Sequence, residues 1–178
     1  MKILVKNYLD LDKTQSDEIL KIRNLKHIVN ASLNQNEITK SQHENFIISL
    51  KNSKNSHYFA IFSDDEIIGG VHFVLKNEPT WGLFFKPNTN AILISAITLK
   101  FLEFCFKRCE ILNASVKKQN ENALKFDKNF GFKITSNDDN FYHLSQRKDE
   151  FHYHLKTELM QKIAKIADEF MISFDDLS

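Results

Sequence analysis

The chain is poor in the residues that build linkers, metal clusters and redox centres. Its 178 residues include only four glycines and two prolines, which speaks for well-built elements and against long flexible connections. Two cysteines occur, Cys105 and Cys109. One helical turn apart, they share a face and read as small apolar core residues. They form no C-x-x-C pair and have no companion pair, so zinc and redox chemistry lack support. His152 and His154, two apart, are an equally poor metal site, and no metal is expected. No charge of one sign dominates. Lys plus Arg number 24 and Asp plus Glu 23, a net +1, which leaves no broad electrostatic reason to hold nucleic acid. No window reaches the apolar length of a membrane span. The opening MKILVKNYLDLDK has an apolar run too short and too broken by charge for a signal peptide. A cytoplasmic protein is the expectation.

What is abundant is phenylalanine. Sixteen Phe side chains within 42% hydrophobic content argue against disorder and supply a core, and the length suits one domain. Alternation marks a strand at 3–9. Helical spacing marks 16–25, capped near Ser16, with Ile19, Leu20, Ile22 and Ile28 on its apolar side. A second helix opens at Thr39, with Phe46, Ile47 and Leu50 as its stripe. Strands follow at 58–63, 66–75 and 80–86, then a long helix at 91–108 and a strand at 111–117. A helix at 120–130 and strands at 132–135 and 141–146 close the pattern. This order predicts an α/β (α+β) domain over 1–146, a mixed, mostly antiparallel sheet flanked by helices. The segment 147–178 is a helical extension. Phe151, Leu155, Leu159, Ile163, Ile166, Ala167 and Phe170 step by three and four, predicting one amphipathic helix over 151–171. It either packs on its own domain or makes a homodimer or partner contact.

The stretch Asn120 to Phe132, NENALKFDKNFGF, reads as helix entry, one short helix and a glycine stop. Asn120 caps, Ala123, Phe126 and Phe130 bury a face, and Gly131 takes the left-handed position that ends a helix. The stretch resembles the last motif of the GNAT acyltransferase superfamily, N-x-x-A-x-x-x-Y-x-x-x-G-F. That resemblance implies the GNAT fold, with acyl-CoA between two central parallel strands, here 80–86 and 111–117. It places the pantetheine along the strand edge at Leu83, Phe84 and Phe85, with Asn120 also beside the cofactor. The pyrophosphate would sit on the helix start at Thr89, Asn90, Ala91, Ile92 and Leu93. Ala91 and Leu93 stand where the family carries glycines. Asp127 stands where it carries the tyrosine that protonates the leaving thiolate. An ionised aspartate there would be a poor donor and would repel the thiolate; a surface placement of Asp127 is the other reading.

A narrower resemblance rests on Ile22-Arg23-Asn24, on Glu37 to Ile47 with Thr39, His43 and Phe46, on His57-Tyr58-Phe59, on Ile67-Ile-Gly69, and on Gly82-Leu83-Phe84 with Pro87. In order and spacing these are similar to the UDP-4-amino-sugar N-acetyltransferases of pseudaminic acid biosynthesis, which serve flagellin glycosylation. The resemblance implies acetyl-CoA as donor, a nucleotide-linked amino sugar as acceptor, and direct attack of the amine on the thioester. Arg23, Asn24, His43 and Thr80 become substrate-binding residues. For Arg23 an ion pair between the first helix and a loop is the rival reading, and for His43 an ordinary helix histidine. His72, on the strand 66–75, is the candidate base, its rival being a histidine on a solvated or partly filled sheet face. Two other functions stay open: a degenerate GNAT-like binding domain without transferase activity, and an acetyltransferase for a protein or peptide amine.

Overall fold

Strands joined by short turns pair antiparallel, and those runs build most of the sheet. In the computed structural model, which describes residues 2–174, seven strands run in the order β1-β2-β3-β4-β5-β7-β6. β1 (Ile3–Asn7), β2 (Ser56–Ser63), β3 (Glu66–Val74) and β4 (Thr80–Phe85) form one antiparallel block. β5 (Ile111–Lys117), β7 (Phe141–Arg147) and β6 (Lys133–Asn137) form another. The blocks meet at β4 and β5, which run parallel and share one register pair, Thr80 opposite Asn113. Pro79 pins the junction: its carbonyl accepts from the Asn113 backbone amide at 2.9 Å and from the Asn113 side-chain amide at 3.0 Å. Past that pin no further pair forms between the two strands.

Period-two alternation sends successive β2 residues to opposite faces. Ala60 and Phe62 pack with α1 (Lys13–Arg23), α2 (Lys26–Ala31) and α3 (Lys40–Leu50), through Ile19, Ile22, Ile28 and Leu50. Phe59 and Ile61 pack against α4 (Ala91–Phe106) and α7 (Glu158–Glu169). α4 is apolar nearly all round because the sheet covers one side and α7 another. α5 (Glu121–Asn129) follows β5, and α6 (Lys148–His154) follows β7.

Four local expectations are corrected. Asp12, not Ser16, caps α1: its carboxylate accepts from the Gln15 amide at 2.9 Å while Gln15 Oε1 accepts from the Asp12 amide at 3.3 Å. This reciprocal box starts the helix earlier than the apolar spacing indicates. β1 stops at Asn7, whose side chain accepts from the Leu9 amide at 3.0 Å and closes a 3-10 turn over Tyr8–Asp10. α2 is a separate six-residue helix without a side-chain cap, too short for periodicity to reveal. The C-terminal helix is two helices, because Thr157 caps α7 by accepting from the Met160 amide at 3.4 Å. Met1 and the last four residues of the expected extension, 175–178, lie outside the described residues.

α7 lies on its own domain. Met160, Ile163 and Ala167 are buried in the core shared with α4, and Lys100 pairs with Asp168 at 2.9 Å. Beyond α7, Phe174 inserts among Phe59, Phe101 and Phe104, with ring centroids 5.4, 5.1 and 6.0 Å away. Phe174→Ala should therefore lower the unfolding free energy by about 3 kcal/mol, read from urea denaturation. A loss below about 0.5 kcal/mol, the range typical of surface substitutions, would show that the segment does not belong to the core.

Candidate active site

The parting of β4 from β5 opens two contiguous lobes of about 560 and 580 Å³. Trp81, Gly82, Leu83, Ala114, Ser115 and Asn120 line both. The first lobe extends to the start of α4 and to α5, past Ala91, Ile94, Ser95, Phe126 and Asp127. The second extends the other way, under α2 and the 32–38 loop, past Arg23, His27, His72, Thr80, Phe84 and Phe85.

The first lobe holds an unusual carboxyl. Asp127 is 7% exposed, and among the described residues its side chain has no hydrogen-bond or ion-pair partner. Burial alone pushes it up from 3.8 to about 7. It is neither a surface residue nor firmly ionised at neutral pH, which corrects both expectations. Local structure puts it there. Asn120 starts α5 by accepting from the Ala123 amide at 3.1 Å. Gly131, at φ 95°, ends the helix where a side chain would meet the Gln146 amide nitrogen at 2.5 Å. Between these fixed ends Asp127 faces the lobe.

The helix start assigned to phosphate binding is arranged differently from the expectation. Asn90 Oδ1 accepts from the Ile92 amide at 2.8 Å and the Leu93 amide at 3.2 Å. An anion that takes those two amides must displace this carboxamide. Thr89 Oγ1 donates to the Lys86 carbonyl at 2.8 Å and serves the turn. The Ile92 side chain points outward, 57% exposed, and Leu93 is buried in the core. Of this group only Ala91 lines the cleft.

The second lobe takes a positive charge from Arg23. Arg23, His27 and His72 line it, with no acidic side chain among its lining residues. The Arg23 guanidinium lies over the Phe84 ring, 4.8 Å from its centroid, and has no carboxylate partner among the described residues. The rival ion pair for Arg23 is therefore not made. His72 stacks on Tyr58 with centroids 5.1 Å apart and lies directly over Gly82. A Cβ at residue 82 would come within 2.5 Å of His72 Cε1, so only glycine leaves room for the ring. Burial, and then the Arg23 charge, lower His72 to about 4. The imidazole is neutral at pH 7 and weakly basic.

Two expected substrate ligands have other tasks. Asn24 donates to the Ile38 carbonyl at 2.8 Å and accepts from the Ile38 amide at 2.9 Å, clamping the loop over the second lobe without lining it. His43, 5% exposed, bonds Ser16 Oγ at 2.9 Å and ties α3 to α1; it lines neither lobe. Thr80 stays at the apex of the parting. His27 was missed because α2 was; its Nε2 bonds the Phe85 carbonyl at 3.1 Å, so that edge carbonyl is already engaged. Ser115 was missed although alternation marks it, opposite in direction to buried Leu112, Ala114 and Val116.

The buried carboxyl gives a test that needs no ligand. Between about pH 4 and 7 the folded chain keeps a proton that the unfolded chain has released. This group's contribution to stability therefore falls as pH rises through that window. Asp127→Asn should match the wild type near pH 4 and be more stable at pH 8. The difference between 3.8 and about 7 sets a ceiling of about 4 kcal/mol. Equal stability of the two chains at both pH values, by urea denaturation, would contradict the burial.

Comparison with known proteins agrees with this geometry. The family model described as an acetyltransferase (GNAT) domain matches residues 3–154. Acetyltransferase PseH of Campylobacter jejuni subsp. jejuni serotype O:23/36 (strain 81-176) is 28% identical over 152 residues, 83% of this chain and 96% of the relative. The crystal structure of Campylobacter jejuni PseH in complex with acetyl coenzyme A aligns with a TM-score of 0.64 at 27% identity. That match covers 82% of this chain and 98% of the other. FdhC, a nucleotide-linked sugar GNAT solved in its apo form, shares the fold at a TM-score of 0.67 and 18% identity, over 89% and 94% of the two chains. With the family model spanning β1 to α6 and the cleft at the strand parting within it, this chain belongs to the GNAT acetyltransferase family.

Proposed function

We propose that this chain transfers an acetyl group from acetyl-CoA to the amine of a nucleotide-linked amino sugar. The donor is supported by the similarity to PseH, solved with acetyl-CoA, and by the fit of the first lobe. Its walls carry small residues, Gly82 and Ala114, and Leu93 is turned into the core instead of filling the slot. An open slot gives the reading as a degenerate domain no support. Leu83 on β4, Ala91 at the start of α4 and Asn120 are the residues that would hold the donor. When bound, acetyl-CoA supplies an activated thioester carbonyl.

The observation that carries the acceptor is the charge of the second lobe. Arg23 is a guanidinium without a carboxylate, in a lobe without acidic lining, and its planar fork suits a phosphate oxygen pair. A nucleotide-linked sugar brings such phosphates together with its amine. The motifs around Arg23 and His43 and the similarity to PseH support the same acceptor class. His72 holds the acceptor as a neutral hydrogen-bonding group, since its low basicity makes it a poor final owner of an ammonium proton. Asp127, still partly protonated at neutral pH, supplies a proton on the thiolate side.

Thiol release from acetyl-CoA with a panel of UDP- and dTDP-linked amino sugars tests this reading. Turnover is expected with at least one. Arg23→Ala should raise the acceptor KM by roughly tenfold or more while leaving acetyl-CoA affinity, measured by calorimetry, unchanged. Turnover on peptide amines alone would move the acceptor class. Absence of any acetyl-CoA affinity would end the transferase reading.

A further inference from the structure

Acetylation of an amine releases a proton, and the cleft needs an owner for it. His72 is poorly suited, buried beside Arg23 with no carboxylate to support an imidazolium. A second histidine stands where the first fails. His143, on β7, is the register partner of Ser115 on β5. Ser115 Oγ lies 3.0 Å from His143 Nδ1, and His143 Nε2 lies 3.0 Å from Asp138 Oδ2. Ser115 lines both lobes at their junction. His143 and Asp138 are 39% and 53% exposed at the far end. We infer that Ser115, His143 and Asp138 form a proton relay leading from the reacting amine to solvent. This rests on the transferase reading above and adds the groups that remove the proton.

The direction of the relay follows from the donors and acceptors. Asp138 Oδ1 accepts from the amides of Asn140 and Phe141, each at 2.8 Å. Those amides, and then His143, hold the carboxyl below its ordinary range, so it is ionised and can only accept. The hydrogen facing it must therefore sit on His143 Nε2. Nδ1 is left bare and accepts from Ser115 Oγ–H. The Ser115 lone pairs remain free to take a proton arriving from the cleft. As the amine nitrogen bonds to the acyl carbon, the carbon–sulfur bond breaks with its electron pair on sulfur, which takes the proton of Asp127, and one N–H proton passes to Ser115 Oγ. The serine's own proton passes to Nδ1. The imidazolium, stabilised by Asp138, then releases a proton to water. One proton enters the relay and one leaves it to water, Asp127 regains from water the proton it gave to sulfur, and no other reactant is consumed. The order hydroxyl, imidazole, carboxylate matches the logic of hydrolase triads, with the hydroxyl serving as a conductor.

The test is Asp138→Asn. An asparagine Oδ1 still accepts the two turn amides, but its Nδ2 donates to Nε2 and forces the hydrogen onto Nδ1. We expect kcat to fall by about a hundredfold in Asp138→Asn and in Ser115→Ala. The acceptor KM and the acetyl-CoA Kd should stay within about twofold, a split that loss of structure would not give. In parallel, nitrogen-15 spectra of His143 in the free wild-type protein should show the Nε2–H tautomer. Full kcat in either variant, or an Nδ1–H tautomer in the wild type, overturns the relay. Failure of every amine acceptor with the wild type would sink the transferase reading, while the tautomer still decides the relay.

Discussion

A single backbone carbonyl governs the working half of this molecule. Pro79 holds β5 to β4 through both nitrogens of Asn113, and the pairing ends with Thr80 opposite Asn113. The two strands start together and then part. Each is clamped to its own antiparallel block, three neighbours on one side and two on the other. The parting is therefore a property of the whole sheet. It creates the lobes, leaves backbone facing them, and puts the ends of α4 and α5 at their margin. Continuous pairing would have given a stable seven-stranded sheet with nowhere for a ligand to lie.

The cleft is electrically divided. On one side Asp127 faces apolar walls without a partner, and burial keeps its proton near neutral pH. On the other, burial and then the Arg23 charge suppress protonation of His72, and Arg23 leaves a positive field with no acidic lining to offset it. On the proposed reading, the protonated side meets the negative charge that develops on sulfur, and the positive side meets a phosphorylated acceptor.

How far this was legible in the sequence depended on the range of each interaction. β5 is found at 111–117 as alternation marks it, and α5 begins at its cap, Asn120, and ends at Gly131. These signals are local. Arg23, His72, Thr80, Leu83, Ala91, Asn120 and Asp127 all reach the cleft, because the order of elements fixes where strand ends and helix starts fall. Asn24 and His43 carry a motif signal too, yet neither lines the cleft: one holds a loop and the other joins two helices. Sequence pattern does not separate residues that touch a ligand from residues that position those that do. α2 and the break before α7 were too short for periodicity. The pairing of Ser115 with His143 spans 28 positions and arises only from strand register, which no local pattern encodes.

Asp127 departs most from the family's pattern, and its energetics argue for a task. A partnerless carboxyl at 7% exposure opposes folding above neutral pH, and an apolar side chain of similar size would relieve that cost. Nothing in the packing of α5 asks for an acid there, since Ala123, Leu124 and Phe126 supply the helix's contact with the core. Tyrosine and aspartate are ordinarily six pKa units apart, roughly 10 against 4, and burial carries the aspartate about half that distance. A thiolate needs a donor that holds its proton at neutral pH yet gives it up readily, and a carboxyl near 7 meets both conditions better than an exposed one. On the proposed reading a short, stronger acid stands in place of a long weak one, and desolvation is what lets it carry a proton at neutral pH.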